Sequence, residues 1–336
     1  MPQSRQPLLV SLALVLVFLA TISFEGCRRG RGRVLEIGYV SAPQVNLRDR
    51  VAAVFNKTGL VKNGERVEVL DRDRRFVRVR SASGSEGWME QRYLVNEKVY
   101  NQIQKLSQDS KNDPVQGQGT THSGTNLHVE PGRDTEHLYQ LAQGEKMFLL
   151  RRSTAERPGT VAPPTKSSAK SDEKKEAQPV VEDWWLVRDV HDRVGWVLAR
   201  MVDLDVPLDV AQYAEGQRIV AYFVLDEVRD GDKKVAQYLT ILTEPRDGLP
   251  FDFSQIRVFT WNVKRHRYET AYRERLAGSL PVTVAQENFE KEGMLPTFII
   301  RVKDDSGNVT ERKYKLNTPM VRRVLAPGEE VGKKKQ

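Results

Sequence analysis

The feature that most constrains the fold of this chain is an internal repeat. Asn-Leu-Arg at 46–48 and Asn-Leu-His at 126–128 are each followed 18 residues later by Gly-Glu. A Gly-Trp pair then follows an aromatic residue by eleven positions in both copies, after Phe76 in the first and after Trp184 in the second. The offset between the copies changes from 80 to 108 residues, so the second copy carries 28 extra residues. Matching intervals of this kind predict two equivalent modules.

Each copy predicts short β-strands that close into a small barrel. In the first copy, Glu65 to Leu70 and Phe76 to Arg80 alternate apolar and polar residues, which is the period of half-buried strands. Gly64 and Gly87 stand where we expect tight turns that need a residue without Cβ. About five such strands in roughly 60 residues can bury their apolar faces only by curling into a barrel.

The combined pattern resembles the bacterial SH3 (SH3b) family. It consists of Asn-Leu-Arg, Gly-Glu, a strand of the form Trp/Phe-x-x-Val-Arg, and Gly-Trp followed by Val or Met. The resemblance implies SH3b domains at 34–98 and 125–205, although the second has His128-Val129-Glu130 where Arg-x-Gly/Ala is usual. An SH3b domain implies binding of cell-wall glycopeptide or of a protein partner.

The candidate ligand-binding residues of the two modules are Arg48, Trp88, Trp184, Trp185 and Trp196. Adjacent residues of a strand point to opposite sides, so one ring of the Trp184 and Trp185 pair is expected to face outward. Trp185 is the candidate for an exposed binding aromatic, unless the extra residues cover it. Trp88 and Trp196 occupy equal positions in the two copies, which favours the barrel core or the edge of a groove.

Two segments beside the modules have compositions that build little core. The extra residues lie within 151–183 and are rich in Pro, Ser and charge, which predicts a disordered loop. Val99, Ile103 and Leu106 recur at helical spacing and predict a short amphipathic helix that leans on the first barrel. Polar residues follow this helix and predict a flexible linker, so that the helix and the linker together span 99–124.

Residues 210–325 predict a third module made of strands. Seven runs favour β-branched or aromatic residues, with turn signals such as Asp230-Gly231-Asp232 between them. This spacing favours a β-sandwich or an open barrel over βαβ units. The predicted fold class is therefore mainly β: two small SH3-like barrels and this module, preceded by an apolar signal or anchor helix over 1–27 and followed by a disordered tail over 326–336.

The N-terminal segment predicts export or membrane anchoring. Residues 8–24 carry no charge and precede Gly26 and Cys27, an order that resembles a bacterial lipoprotein signal with Cys27 as the lipidated residue. Phe24 and Glu25 depart from the usual Leu and small residue of that signal. An uncleaved anchor, a cleaved signal peptide and a buried helix stay open as alternatives. The lipoprotein interpretation places the modules at the bacterial cell envelope, membrane-anchored and facing the periplasm or exterior.

The distribution of charge supports a competing orientation. The chain has 53 Lys and Arg against 45 Asp and Glu, a net charge of +8, and four arginines between 28 and 33 follow the apolar segment. The more basic flank of an anchor tends to stay in the cytoplasm. A membrane-tethered protein with cytoplasmic modules, its arginines against anionic lipids, is therefore the first alternative.

The residue types exclude several kinds of enzyme site. One cysteine excludes a disulfide framework, a multi-cysteine zinc site and an iron–sulfur cluster. The five histidines include no His-x-His or His-Glu-x-x-His motif, so we expect no metal and no cofactor. Gly59 and Gly64 have P-loop spacing, but Glu65-Arg66 replaces the Lys and Ser/Thr that hold phosphate and Mg²⁺. We therefore expect the protein not to be an enzyme.

A basic run in the C-terminal module has two interpretations. Trp261, Tyr268 and Tyr272 flank the basic residues 264–267, an arrangement that could stack with and neutralise nucleic acid. A solvated hairpin tip explains the run equally well, and an exported protein would not meet nucleic acid. We therefore expect no nucleic-acid partner.

The function hypothesis is an envelope-anchored, non-enzymatic binding or scaffolding protein. Its partners are the membrane, through the N-terminal anchor, and cell-wall glycopeptide or an envelope protein, through the SH3b domains. The cytoplasmic orientation and a role as accessory to a peptidoglycan hydrolase are the alternatives. The oligomeric state stays open.

Overall fold

The computed structural model describes residues 33–51, 56–161, 179–304 and 306–325. The chain divides into two compact units; the first draws on Met1–Gly38, Val45–Val61 and Glu65–Arg92, and the remaining residues belong to the second. Strands make up most of the described residues of both units.

Several predictions concern residues outside the described ranges. The anchor at 1–27 with Cys27, and the tail at 326–336, are among them. Within the ranges that are described, no helix has the length and apolar character needed to cross a membrane. The lipoprotein interpretation of Cys27 therefore stays a prediction.

Two seven-stranded antiparallel sheets share one strand order. The first contains β1 Glu36–Val40, β2 Gln44–Arg48, β3 Lys57–Lys62, β4 Arg66–Asp73, β5 Phe76–Ser81, β6 Glu86–Glu90 and β7 Leu94–Asn96. The second contains β8 Gly117–Thr121, β9 Thr125–His128, β10 His137–Leu141, β11 Lys146–Val161, β12 Pro179–Asp189, β13 Val194–Leu198 and β14 Val202–Leu204. Their orders, β3-β2-β6-β5-β4-β1-β7 and β10-β9-β13-β12-β11-β8-β14, correspond strand for strand. The repeat in the sequence is therefore also a repeat in the structure, and we call the sheet of β1–β7 the first barrel and the sheet of β8–β14 the second barrel.

The glycine of each Gly-Trp pair lies where two strands approach closely. A Cβ on Gly87 would lie 2.8 Å from the Cβ of Leu47, and one on Gly195 would lie 2.6 Å from the Cβ of Leu127. Carbon atoms do not approach so closely, so β6 and β13 can reach β2 and β9 only through a residue without a side chain. The prediction of a tight turn at Gly87 was wrong, whereas Gly64 does lie in a turn, with φ of 76°.

Both ends of the predicted disordered loop are strand. β11 and β12 form a long hairpin and pair with each other out to their far ends. The prediction of disorder over 151–183 is therefore wrong for 151–161 and 179–183, while 162–178 lies outside the described residues. Composition was misleading because these polar strand residues gain their stability from distant partners and not from intrinsic propensity.

Much of the predicted linker is regular structure. Helix α1 spans Glu97–Asp109, and the Asn96 side chain caps it by accepting a hydrogen bond from the Val99 N–H at 3.1 Å. The helix was predicted, but the packing of its Leu106 against the buried cluster of Leu150, Leu186 and Val194 was not. β8, which lies in the predicted flexible part, pairs with both β11 and β14.

The C-terminal part is one antiparallel sheet. Its strands are β15 Arg218–Asp230, β16 Lys233–Thr243, β17 Phe253–Asn262, β18 Arg267–Phe289, β19 Gly293–Lys303, β20 Val309–Asn317 and β21 Met320–Val324. They lie side by side in chain order, preceded by a short helix α2, Leu208–Ala211. All seven predicted strands are present. Of the two predicted architectures, a β-sandwich or an open barrel, the β-sandwich is wrong because the strands form one sheet and not two facing sheets. β18 is 23 residues long because its first half pairs with β17 and its second half with β19.

The second barrel and the C-terminal sheet share one hydrophobic core. Trp185 of β12 lies in the same buried cluster as Phe253 and Phe298. Gln116 adds a buried polar link: its Oε1 accepts a hydrogen bond from the Val282 N–H at 2.8 Å, and its Nε2 donates to the Val282 carbonyl at 3.2 Å. The side-chain amide thereby supplies a partner to both the backbone N–H and the backbone carbonyl of the buried Val282.

Candidate functional site

A groove on the second barrel is the candidate site, and we call it the barrel groove. Its volume is about 880 Å³, which suits a short peptide or a small glycan. Most of its lining residues come from β9, β10, β12, β13 and the loops and turns beside these strands. Its polar lining includes His128, Arg133, His137, Arg193 and Arg200.

Two histidines form one wall of the barrel groove. His128 is 8% exposed, and its ring centroid lies 5.4 Å from that of His137. Nδ1 of His128 lies 3.1 Å from the carbonyl oxygen of Thr135, so Nδ1 donates and Nε2 is left as an acceptor. Burial lowers the pKa of both imidazoles, which are therefore neutral at pH 7.

Trp184 packs against His128 in this wall. It is 2% exposed, and its ring meets that of His128 edge to face, with centroids 5.2 Å apart. Trp184, one of the candidate ligand-binding residues, is part of the lining of the barrel groove, and its role in binding stays a prediction. With so little exposed surface, its main effect is to fix the position of the imidazole.

Arg133 and Glu182 hold the loop between β9 and β10 in place. Nε and Nη2 of Arg133 donate to the two carboxylate oxygens of Glu182 at 2.6 and 2.7 Å. Glu182 is 6% exposed, and its hydrogen bonds with Arg133 lower its pKa and raise that of the guanidinium. The pair keeps Arg133 charged and oriented at the mouth of the groove.

Arg193 is fixed by a buried carboxylate as well. Its Nε lies 2.5 Å from Oδ2 of Asp189, which is 2% exposed, and its Nη2 lies 3.5 Å from a carboxylate oxygen of Glu145. The guanidinium also lies over the Tyr139 ring, 5.4 Å from the centroid. Arg193 is therefore a rigid cationic group in the lining.

Arg200 is the most accessible of the three guanidinium groups. Its side chain is 55% exposed, and its nearest carboxylate contact is a long one, 4.0 Å to Glu182. Glu182 and Asp189 pair with Arg133 and Arg193, so Arg200 is the lining arginine whose charge is least matched. It favours a ligand that carries a carboxylate, which a guanidinium can bind with two hydrogen bonds.

Trp185 does not have the predicted exposure. It is 6% exposed and lies in the core that the second barrel shares with the C-terminal sheet. Neither Trp184 nor Trp185 exposes its ring, because both faces of β12 are covered here. His128 packs over one face, and the C-terminal sheet packs over the other.

The remaining candidates lie at matching positions of the two sheets. Trp88 pairs with Arg48 across β6 and β2, and Trp196 pairs with His128 across β13 and β9. Both tryptophans are half-buried, which fits the edge of a groove and not the barrel core. Arg48 is also half-buried.

Sequence reasoning missed most of the groove. His128 was noted as a departure from the SH3b pattern, but Arg133 and His137 were not singled out, because Arg133 lies in a loop without periodicity and His137 is the first residue of its strand. Glu182 was assigned to a disordered loop. Across the described ranges, no cluster of three or more His, Cys, Asp or Glu has the geometry of a metal site.

Comparisons with known proteins bear on the first barrel. The family model of the bacterial SH3 domain matches residues 43–95. Among solved structures, NlpC1 from Trichomonas vaginalis is 9% identical, with 88% of this chain and 92% of that chain covered and a TM-score of 0.18. An NlpC/P60 family protein from Bacillus cereus is 11% identical, with 84% and 95% covered and a TM-score of 0.23. No function follows from similarity at these TM-scores. No curated protein is significantly similar to this chain.

Proposed function

We propose that this chain is a non-enzymatic cell-wall binding protein, held at the envelope by Cys27, and that its second barrel is a second SH3b domain. The barrel groove binds cell-wall glycopeptide through a peptide carboxylate. The observation that carries the proposal is the exposed and weakly paired guanidinium of Arg200 in the groove, in a sheet with the strand order of the sheet that contains the SH3 match.

Three correspondences support a second SH3b domain. The two sheets have the same strand order. Gly87 and Gly195 allow the same close approach between equivalent strands. Trp88 and Trp196 stand opposite the last residue of the equivalent strands β2 and β9. The second barrel therefore repeats the specific packing features of the first as well as its topology.

The chemistry of the lining supports a carboxylate-bearing glycopeptide. Arg200 is half-exposed and weakly paired, so a ligand carboxylate can replace its long contact with Glu182 at small cost. Nε2 of His128 is an acceptor for a ligand N–H or O–H group. A wall glycopeptide offers carboxylates, amides and hydroxyls together.

The hydrogen bonds of the groove favour binding over catalysis. Thr135 is the hydroxyl beside His128, at 3.0 Å from Nδ1. Its Oγ1 lies 2.8 and 2.9 Å from the carbonyl oxygens of Glu130 and Gly132, to which it donates. Nδ1 of His128 is itself a donor, so the imidazole does not act as a base toward this hydroxyl. His128 and Thr135 together stabilise the loop between β9 and β10.

Co-sedimentation of the full-length protein with purified sacculi tests the proposal. Arg200→Gln should weaken binding about fivefold, the effect of ~1 kcal/mol, and raised salt should weaken it further. Arg301→Gln is the matched control, because Arg301 is an exposed arginine of the C-terminal sheet whose loss leaves the groove unchanged. Wild-type affinity in Arg200→Gln would remove the groove from the proposal. Absence of wild-type protein from the pellet would remove wall glycopeptide as the ligand.

A further inference from the structure

A second pocket, the sheet pocket, lies on the C-terminal sheet and shares no lining residue with the barrel groove. Its volume is about 660 Å³. Side chains from β15, β16, β17 and β18 line it, and they combine aromatic rings, carboxylates and ammonium groups. Those that carry the inference are Glu227, Asp230, Lys234, Tyr238, Trp261 and Tyr268.

Three aromatic rings form the base of the sheet pocket. The Trp261 and Tyr268 rings meet at 75°, with centroids 5.0 Å apart, and Tyr238 lies 5.9 Å from Tyr268. Both tyrosines are 8% exposed, so they are fixed in the sheet, and Trp261 is the half-exposed ring of the three. This arrangement presents an indole on a rigid base.

A carboxylate fixes the orientation of the indole. Nε1 of Trp261 donates to Oδ2 of Asp230 at 2.8 Å, and Nδ1 of His266 lies 2.6 Å from the same oxygen. These hydrogen bonds lower the pKa of Asp230, which is ionised at neutral pH. The indole is therefore oriented before any ligand arrives, which reduces the entropy lost on binding.

The rim of the sheet pocket supplies donors and acceptors in balance. Lys234 is 68% exposed and lies 3.5 Å from a carboxylate oxygen of Glu227. Lys233 adds a second ammonium group, and Asp209 and Asp230 add carboxylates. A ligand that both donates and accepts hydrogen bonds is suited to such a rim. A polyanion is repelled by the three carboxylates of the rim.

The basic run of the adjacent hairpin does not make the pocket a nucleic-acid site. Arg265 and Arg267 lie 3.0 and 3.2 Å from one carboxylate oxygen of Glu269, so both guanidinium groups are already engaged in ion pairs within the hairpin. His266 is bound to Asp230. The sequence pattern of aromatic residues around basic residues therefore corresponds to internal ion pairs and one ordered indole.

We propose that the sheet pocket binds a neutral oligosaccharide, with the C–H face of one pyranose ring on Trp261 and its hydroxyls bonded to Glu227 and Lys234. A pyranose has an apolar face and a ring of hydroxyls that donate and accept, which matches an indole surrounded by carboxylate and ammonium groups. This inference goes beyond the proposed function, since it uses none of the residues of the barrel groove.

Titration of the full-length protein with chitotetraose, a neutral oligosaccharide, tests the proposal. The probe is the indole N–H signal of Trp261 in ¹H–¹⁵N spectra, identified by its loss in Trp261→Phe. The full-length protein carries the apolar segment 8–24 and is handled in detergent. The detergent must lack a sugar headgroup, because a maltoside would compete for the pocket. A saturable shift of this signal is expected, with affinity at least tenfold weaker in Trp261→Ala, measured by calorimetry.

Two further variants keep the result interpretable if Trp261→Ala fails to fold. Lys234→Ala removes an exposed donor and should weaken chitotetraose binding several-fold without changing the melting temperature. Val263→Ala, an exposed neighbour on the same hairpin outside the lining, should bind as wild type. No shift of the Trp261 signal, or tighter binding of a heparin-derived tetrasaccharide than of chitotetraose, would overturn the proposal. Arg200→Gln should leave chitotetraose binding intact, which separates this result from that of the barrel groove.

Discussion

Arg152 and Asp183 form a buried ion pair, with Nη2 of Arg152 2.5 Å from Oδ1 of Asp183 and the two side chains 4% and 2% exposed. Arg152 also donates to Asp252 at 2.9 Å. Asp183 also accepts hydrogen bonds from Arg218 at 2.8 Å and from the Gly248 N–H at 2.9 Å. The pair belongs to the β11 and β12 hairpin and its other partners belong to the C-terminal part, so the network joins the second barrel to that sheet.

Removal of one charge from this network should be costly. Asp183→Asn leaves Arg152 buried without its main counter-ion, and we expect a loss of about 3–5 kcal/mol in the free energy of unfolding. The double variant Arg152→Met, Asp183→Leu should lose less than Asp183→Asn, because it removes the two most buried charges together and the charges left behind, Asp252 and Arg218, are more exposed. Urea unfolding of the three proteins measures both effects. A loss below ~1 kcal/mol in Asp183→Asn would contradict the buried network.

Two deletions should separate the strand part of the extra residues from the rest. Removal of 162–178, with a short turn to join Val161 to the opposing Pro179, keeps every described strand pair and should change stability by no more than about 1 kcal/mol. Removal of 154–178 also deletes the strand that pairs with Glu182 and Asp183, and we expect about 2 kcal/mol or more. Thermal unfolding distinguishes them. Equal melting temperatures would show that the extension of β11 contributes nothing.

Stability should fall as the pH is lowered from 7 to 5. His128 and His137 have lowered pKa values in the folded protein, so the unfolded chain binds more protons once the pH drops below about 6.5. Free energies of unfolding measured across this range should therefore decrease with pH. His128→Gln should flatten the decrease, whereas His191→Gln, at an exposed position, should not. An unchanged slope in His128→Gln would assign the dependence to other groups.

The close approach of β13 and β9 predicts a strict requirement for glycine. Gly195→Ala places a Cβ 2.6 Å from the Cβ of Leu127, and we expect a loss of about 2 kcal/mol or more. Gly124→Ala is the matched control, because the nearest atom to its Cβ would be the Leu141 carbonyl oxygen at 3.6 Å. Chemical denaturation of both variants checks the prediction, and equal stability would mean that the strands can separate to admit a methyl group.

Much of the fold was predictable because it depends on local pattern. Alternating residues located the seven C-terminal strands, and helical spacing located α1. The end of β18 was missed, since only its pairing with β19, and not its own sequence, continues it to Phe289. Strand residues 151–161 were missed for a related reason: their polar composition suits a loop, and the contacts that order them come from residues such as Asp252.

The candidate site was less predictable than the fold. The sequence marked His128 and Trp184, which the structure brings together, but it gave Trp185 the wrong environment. Exposure depends on what covers a strand, and nothing local to β12 indicates that the C-terminal sheet packs on it. Arg133 was missed because its role depends on Glu182, 49 residues away in the chain.

The reciprocal hydrogen bonds between Gln116 and Val282 span 166 residues, and they constrain how the protein can be made. When synthesis has reached residue 205, every strand of the second barrel exists, yet the amide of Gln116 and the ring of Trp185 still lack the partners that bury them. The nascent barrel must therefore keep this face hydrated until β18 and its neighbours emerge. Burial of this face of the second barrel is therefore a late event in biosynthesis, and it depends on the last third of the chain.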